Sequence, residues 1–160
     1  MELRVVRLPD LREAGEISGF RLRGLPPTYI PMRNGIFYAF AASYAEEVGA
    51  GVIVGGHNGD DGRVFKDVSP AFFESLGRAF REGSPPLRRL AIERPLEKLT
   101  KPEVIRLSSR LKVPLELTWS CHRDGERHCW GCSGCLSRRR SFHAAGVVDP
   151  LDGATAAKIS

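Results

Sequence analysis

Residues 35–48 form a long apolar stretch in which aromatic and small side chains follow one another until Glu46. We predict a helix here, with Asn34 as its N-cap and Gly49 closing it. Because the stretch is apolar nearly all round, we expect it to be buried on more than one face. The β-branched run at residues 51–56 follows directly and predicts a strand. A buried helix that leads into a buried strand indicates an α/β fold with a largely parallel sheet.

Weaker patterns predict the other elements. A loosely alternating strand is expected at residues 3–8 with a short helix after it, a loop at 19–32, and a second strand at 90–94. Thr100, with Glu103 three residues later, is a capping box for a helix to about Lys112. A last helix is predicted at residues 136–145, closed by Gly146, with a frayed tail after residue 150. Ser69 and Pro70 predict the start of a helix to about Gly83, whose expected inward residues are Phe73, Leu76, Ala79 and Phe80.

The segment after the strand at 51–56 is rich in glycine and polar residues. It reads GGHNGDDG from residue 55 to residue 62. In parallel sheets ligands gather at the carboxyl ends of the strands, which favours a ligand-binding loop at this position. A hairpin turn or an ordinary surface loop has the same composition, so the pattern leaves these alternatives open.

All four cysteines of the chain lie between residues 121 and 135. Thiolates are the ligands that Zn²⁺ prefers, and a closed tetrahedral site needs four of them. We therefore predict a structural zinc site formed by Cys121, Cys129, Cys132 and Cys135. A disulfide pair or a redox-active Cys-x-x-Cys pair are the alternatives. His122 or His128 could replace one of the cysteines as a ligand.

Composition narrows the class of protein. The chain has 160 residues, of which 42% are hydrophobic and 27% charged, as expected for one globular domain of modest size. It contains no apolar run long enough to cross a bilayer and no secretory h-region near residue 1, which predicts a cytoplasmic protein. The net charge of +5 suits an anionic partner, although the arginines at 138–140 read equally well as a solvated face of the last helix.

Several blocks of the chain occur in an order typical of one enzyme family. Residues 28–34 read TYIPMRN, before the predicted helix, and residues 58–70 read NGDDGRVFKDVSP. Residues 95–105 read PLEKLTKPEVI, residues 118–121 read TWSC before the three further cysteines, and residues 145–150 read AGVVDP. Together these blocks resemble the 7-cyano-7-deazaguanine synthases, which are PP-loop ATPases.

The resemblance implies a fold and a reaction. The fold would be an adenine-nucleotide alpha-hydrolase-like (Rossmann-like) parallel sheet with helices on both faces, present in part over residues 1–115. A zinc-binding and helical segment would follow at 116–150, and a tail at 151–160. The reaction would convert 7-carboxy-7-deazaguanine and ammonia to the nitrile preQ0, with ATP and Mg²⁺ activating the carboxylate.

The resemblance also implies roles for individual residues. Lys101 is expected to contact ATP or phosphate, and a small-molecule deazapurine is the expected substrate. The residues expected to bind that substrate are Arg33, Asn34, Asn58, Asp61 and Asp67. A solvated cation is the alternative role for Arg33 and Lys101, and a turn or cap residue is the alternative for the others.

The sequence also departs from the family pattern. The phosphate-binding segment Ser-Gly-Gly-x-Asp-Ser does not occur in these 160 residues, and Gly62, Arg63, Ser69 and Ala71 replace the usual residues in and directly after the second block. One interpretation is the C-terminal part of a synthase whose ATP-binding part is encoded separately or lies outside this sequence, with a separate N-terminal half or a second copy as partner. A non-catalytic zinc protein that binds a deazapurine or scaffolds a partner is a second interpretation. A zinc-ribbon RNA binder that stacks bases on Trp119 and Trp130 is a third and less favoured one.

Overall fold

The computed structural model describes residues 5, 7, 8, 19, 22–85, 89–123 and 125–152. The strand predicted at residues 3–8, the short helix after it and most of the predicted tail lie wholly or largely outside these residues. Two 3-10 turns occur at Lys66–Val68 and Leu115–Leu117. The helices and strands, in chain order, are α1 (Arg33–Val48), β1 (Val52–Val54), α2 (Gly59–Val64), α3 (Pro70–Gly83), β2 (Ala91–Glu93), α4 (Lys101–Arg110) and α5 (Ser133–Ala145).

The two strands form a parallel sheet, as the sequence predicts. Ile53 of β1 pairs with Ile92 of β2, and the ladder extends to Gly55, whose N–H donates to the carbonyl of Glu93 at 2.8 Å. Parallel strands need a crossover connection, which α2 and α3 supply here. The described part of the chain is therefore an α/β unit built on a small parallel sheet.

The core lies between α1, α3 and the sheet. Tyr38, Val68 and Phe73 are buried together, and Ile53 and Ile92 pack against them from the strands. A second group, Ala42, Ala45 and Leu90, extends this core toward the end of α1. The prediction that Ala79 faces inward is wrong, because α3 turns Phe73 and Gly77 toward the core and leaves Ala79 exposed.

Helix α1 is buried on one face rather than on several, which corrects the prediction from its apolar composition. Its buried positions are Tyr38, Ala42 and Ala45, together with the polar Asn34. Phe37, Phe40 and Val48 recur along another face of α1 and are 45–56% exposed among the described residues. On β1, Val52 and Val54 point away from the core and are 45% and 66% exposed.

Local signals predict the helix ends well. Ser69 caps α3 by accepting the N–H of Phe72 at 3.2 Å, and Glu103 accepts the N–H of Thr100 at 2.7 Å in the predicted capping box. Gly49 and Gly146 close α1 and α5 in the left-handed conformation, with φ values of 75° and 67°. Two assignments need correction: α5 begins at Ser133, three residues earlier than predicted, and residues 59–64 form a short helix rather than a loop.

Helices α4 and α5 pack against each other. The guanidinium of Arg138 on α5 holds both carboxylate oxygens of Asp149 at 2.6 and 2.7 Å, and it also donates to the hydroxyl of Thr118 at 2.7 Å. Arg138 is therefore buried, so the solvated-face interpretation of residues 138–140 does not hold at this position, while Arg139 pairs with Asp152 nearer the surface. No helix in the described ranges combines the length and apolar character that spanning a bilayer requires.

Candidate substrate pocket and metal centre

A cavity of about 460 Å³ lies where the segment after β1 meets the starts of α1, α4 and α5. It is large enough for a bicyclic heterocycle, and small-molecule sites in proteins are commonly of this size. Charged and polar side chains share its wall with apolar ones. The residues that line it are Thr28, Ile30, Arg33, Asn34, His57, Asp61, Phe65, Val68, Lys101, His122, Ser133 and Gly134.

Asn34 is held in the cavity wall by a buried carboxylate. Its backbone N–H and its side-chain Nδ2 both donate to Oδ2 of Asp67, at 3.2 and 2.9 Å. The prediction that Asn34 caps α1 is wrong, because the helix begins at Arg33 and its N-cap is Met32 in a left-handed conformation. A partner 33 residues away along the chain fixes the amide instead, and Asp67 is itself only 5% exposed.

Lys101, which also lines the cavity, is held by residues of α2. Its Nζ lies 2.9 Å from Oδ1 of Asp61, whose other oxygen accepts from the side chain of Asn58 at 2.8 Å. The backbone N–H of Lys101 donates to Asp60, and Asn58 caps α2 by accepting the N–H groups of Asp60 and Asp61. The contacts of residues 58–61 thus connect the start of α4 to the segment after β1. They also hold the ammonium group of Lys101 at the cavity.

The sequence prediction and the cavity agree in part. Arg33, Asn34, Asp61 and Lys101 line it, whereas Asp67 and Asn58 lie behind the lining and fix Asn34 and Asp61. His57 also lines the cavity, and it was not among the predicted site residues. Its position immediately after β1, at the carboxyl end of a parallel strand, is the signal that could have identified it.

The four cysteine sulfurs converge in a loop beside the cavity. All of them lie within 4.8 Å of one another, and the Sγ pairs Cys129–Cys135 and Cys121–Cys132 are each 4.0 Å apart. A tetrahedral ion with metal–sulfur bonds of about 2.3 Å places its ligands about 3.8 Å apart, so the arrangement fits such an ion closely. All four thiols are free of disulfide bonds. The cluster could therefore hold a metal ion.

Backbone N–H groups point at these sulfurs. Cys121 accepts from Arg123 and Cys129 at 3.4 and 3.5 Å, and Cys129 accepts from Cys132 at 3.3 Å. Hydrogen bonds from the backbone of Gly131 and Cys132 lower the pKa of Cys129 to about 6, which favours its thiolate. Burial raises the pKa of Cys135 to about 12, so this thiol ionises only when a cation replaces its proton.

The two histidines of the loop have other partners. Nε2 of His128 accepts the N–H of Ser120 at 3.0 Å, and its ring packs between those of Trp119 and Trp130 at centroid distances of 4.3 and 5.1 Å. Burial lowers the pKa of His128, which keeps this imidazole neutral near pH 7. His122 lines the cavity. Among the described residues, the four cysteines are therefore the group that could hold a metal ion.

The segment that carries the four cysteines, residues 121–135 (the metal loop), also forms part of the cavity wall. Ser133 and Gly134, in the first turn of α5, line the cavity directly after Cys132, and His122 lines it directly after Cys121. A Cβ atom at Gly134 would overlap the carbonyl oxygen of Ser120 and meet the ring of His122 at about 3 Å. The close approach of α5 to residues 120–122 thus requires glycine at position 134.

We expect Gly134→Ala to destabilise the protein by about 1–3 kcal/mol, because the new methyl group overlaps the backbone carbonyl of Ser120. Gly131→Ala is the matched control, since a Cβ at Gly131 has its nearest neighbour at an ordinary 3.8 Å. The measurement is chemical denaturation of both variants with metal bound. Equal stability of the two variants would contradict the close packing of α5 on residues 120–122.

Comparison with known proteins identifies the family of the chain. The family model of the queuosine biosynthesis protein QueC matches residues 10–146. A 7-cyano-7-deazaguanine synthase of Thermoplasma acidophilum is 42% identical over 130 residues, which are 80% of this chain and 55% of that protein. Proteins of the same name from Methanothrix thermoacetophila and Trichodesmium erythraeum are each 38% identical, over 86% and 91% of this chain and 62% and 65% of their own lengths.

The chain spans about 55–65% of the length of these curated relatives. Within that span the match includes the cavity-lining residues, the segments that fix them and all four cysteines. The family model covers well over half of the chain. The chain therefore belongs to the family of the queuosine biosynthesis protein QueC.

Proposed function

We propose that this chain supplies the substrate pocket of a 7-cyano-7-deazaguanine synthase. The reaction converts 7-carboxy-7-deazaguanine, ammonia and ATP to the nitrile preQ0, which makes the complete protein an ATP-dependent C–N ligase of queuosine or archaeosine biosynthesis. The observation that carries the proposal is the cavity in which Arg33, Asn34, Asp61 and Lys101 meet, in a chain 36–42% identical to proteins named as synthases.

The charges around the cavity suit the substrate. A carboxylate is a poor electrophile until one of its oxygens becomes part of a leaving group, and the charge that develops on phosphate needs cations. Arg33 and Lys101 bring positive charge to the cavity, and we assign both to the anionic group of the substrate, which is a carboxylate before activation and carries phosphate after it. Asn34 and Asp61 offer an amide and a carboxylate to the hydrogen-bonding edge of the deazapurine, with Asp67 and Asn58 as positioning residues behind them.

We assign the metal as zinc. Four sulfur ligands with tetrahedral spacing favour Zn²⁺, and a site with four protein ligands leaves no open position for water or substrate. Zinc would therefore stabilise the segment at 116–150 and the cavity wall formed by residues 120–122 and α5, while ATP and Mg²⁺ serve the reaction itself.

The rest of the family fold is expected to pack on the exposed apolar face of this unit. The relatives are longer than the span that this chain matches. Val52 and Val54 of β1 and Phe37 and Phe40 of α1 are exposed apolar residues of the kind that a fuller parallel sheet with helices on both faces would bury. We infer that a polypeptide carrying the family's phosphate-binding loop, joined to this chain or separate from it, completes a PP-loop domain here.

The test of the proposal is turnover. The zinc-loaded chain is mixed with 7-carboxy-7-deazaguanine, ammonium, ATP and Mg²⁺, with and without the N-terminal part of a relative that carries Ser-Gly-Gly-x-Asp-Ser. We expect the nitrile to form, as followed by liquid chromatography and mass spectrometry, when both parts are present. An absence of product with both parts, under conditions in which the intact relative is active, would contradict it.

Lys101→Met is expected to weaken binding of 7-carboxy-7-deazaguanine by about tenfold or more, because an interaction with a charged group contributes roughly 1.5–3 kcal/mol. Binding of 7-deazaguanine, which lacks the carboxylate, should change much less. Lys98→Met is the control, since Lys98 is exposed and does not line the cavity. Calorimetric titration measures all of these affinities, and an equal loss for both ligands would contradict the assigned role of Lys101.

A further inference from the structure

His57 is an ionisable residue of the cavity wall to which the assignments above give no role. It follows β1 after Gly55 and Gly56 and lines the cavity with Arg33 and Lys101. Gly55 is required here because a Cβ atom on it would overlap the hydroxyl of Tyr38. The chain can thus pass close over Tyr38 and direct the next residues of the segment to the cavity.

The surroundings of His57 keep its imidazole neutral. Its ring is half-buried and packs on Tyr38 and Phe73, with centroid distances of 5.8 and 5.2 Å. Burial lowers the pKa of His57 below its usual 6.5, and this effect exceeds the opposing attraction of the carboxylates. The charged and titratable groups that face it are Tyr38 and Arg33 of α1, Asp61 of α2, Asp67 of the 3-10 turn and Arg94 after β2.

We propose that His57 is a catalytic base of this pocket, accepting a proton from the nitrogen of ammonia as it attacks the activated carboxylate. The inference rests on the proposed function and adds a residue to it. In the step, the ammonia nitrogen forms a bond to the carboxyl carbon, and the C–O bond to the phosphate leaving group breaks. The leaving oxygen takes the electron pair of that bond, one N–H proton passes to the imidazole, and the product is the amide.

Other ionisable groups that line the cavity are less suited to this step. Arg33 stays protonated, and Lys101 is held as a cation 2.9 Å from Asp61. Both carboxylate oxygens of Asp61 accept from partners, namely Lys101 and Asn58. His122 follows the ligand Cys121 directly and packs on Gly134 in the metal loop. Among the described lining residues, His57 is the neutral base held on the sheet side of the cavity.

The test bypasses ATP by supplying the substrate already activated. The zinc-loaded chain is incubated with the phenyl ester of 7-carboxy-7-deazaguanine and ammonium, and amide formation is followed by chromatography between pH 5.5 and 8.5. Phenoxide replaces phosphate as the leaving group, so the aminolysis step is observed alone. His57→Gln is compared with His143→Gln, an exposed histidine on α5. Calorimetric titration of 7-carboxy-7-deazaguanine into each protein reports binding separately.

We expect His57→Gln to bind the ligand as the parent chain does but to lose about 100-fold or more of the aminolysis rate. Added imidazole should restore part of that rate. When rates are compared at equal concentrations of free ammonia, the parent rate should still decline on acidification as His57 becomes protonated, and this decline should be absent from the variant. Unchanged aminolysis with intact binding would overturn the role of His57 and leave the proposed function standing. No binding to any of the three proteins would overturn the proposed function, and the inference with it.

Discussion

Cys132→Ser is expected to abolish stoichiometric zinc binding and to unfold the segment that follows residue 116. Serine is a good N-cap, so the variant can still accept the N–H of Cys135 that the sulfur of Cys132 accepts at 3.5 Å. A loss of stability would therefore result from the loss of the metal and not from a weakened cap at the start of α5. Because the metal-binding energy of such a site is folding energy, we expect a cost above about 4 kcal/mol and a melting temperature lowered by roughly 10 °C or more.

Zinc content and thermal unfolding are measured on the same purified samples. Ser137→Ala, one turn further along α5, is the control, and it should keep one zinc per chain and the parent melting temperature. A Cys132→Ser protein that remains as stable as the parent while holding no zinc would show that the four cysteines do not form a structural metal site.

Arg138→Gln is expected to cost about 3–5 kcal/mol of the free energy of unfolding, because it leaves the carboxylate of Asp149 buried without its countercharge. The side chains of this pair are 4% and 0% exposed. The variant also loses the hydrogen bond to Thr118, which leads into the metal loop. Asp149 ties the end of the described chain to α5, so we expect that end to become sensitive to proteolysis.

Arg139→Gln is the matched control one residue along. Arg139 makes a similar pair with Asp152, whose side chain is 5% exposed, but the side chain of Arg139 itself is 42% exposed, so solvent screens this pair more than the Arg138–Asp149 pair. Denaturant titration of the zinc-loaded variants should therefore show a larger loss for Arg138→Gln than for Arg139→Gln. Comparable losses would mean that burial of the Arg138–Asp149 pair does not determine its contribution.

Features that depend on neighbouring residues could be predicted from the sequence. The caps at Ser69 and Thr100 and the glycines that close α1 and α5 need partners within one helical turn. The cysteine cluster was also predictable, because all its ligands fall within 15 residues and metal geometry restricts their arrangement. The parallel pairing of β1 with β2 follows from the long connection between two short strands.

Features that depend on distant partners could not be predicted. From the sequence, Asn34 is interpreted as a helix cap, because its hydrogen-bond partner Asp67 lies far along the chain. From the sequence, Arg138 can be interpreted as a surface cation. Its burial depends on Asp149 and on the turn at Leu115–Leu117, which are distant along the chain. The apolar composition of α1 predicted burial on several faces, but the described residues cover one of them. Composition records how much apolar surface a helix has and not which element covers it.

The most direct measurement of the central claim is a calorimetric titration of 7-carboxy-7-deazaguanine into the zinc-loaded chain, with guanine and 7-deazaguanine as comparison ligands. On this account the cavity hydrogen-bonds to the purine-like edge of the ligand and pairs its carboxylate with Arg33 or Lys101. The carboxylated ligand should therefore bind at one site per chain, and more tightly than either comparison ligand. The Asp67→Asn variant, which weakens the hold on Asn34, should lower that affinity. Equal affinity for all three ligands, or binding unaffected by Asp67→Asn and Lys101→Met together, would contradict the assignment of this cavity as the substrate pocket.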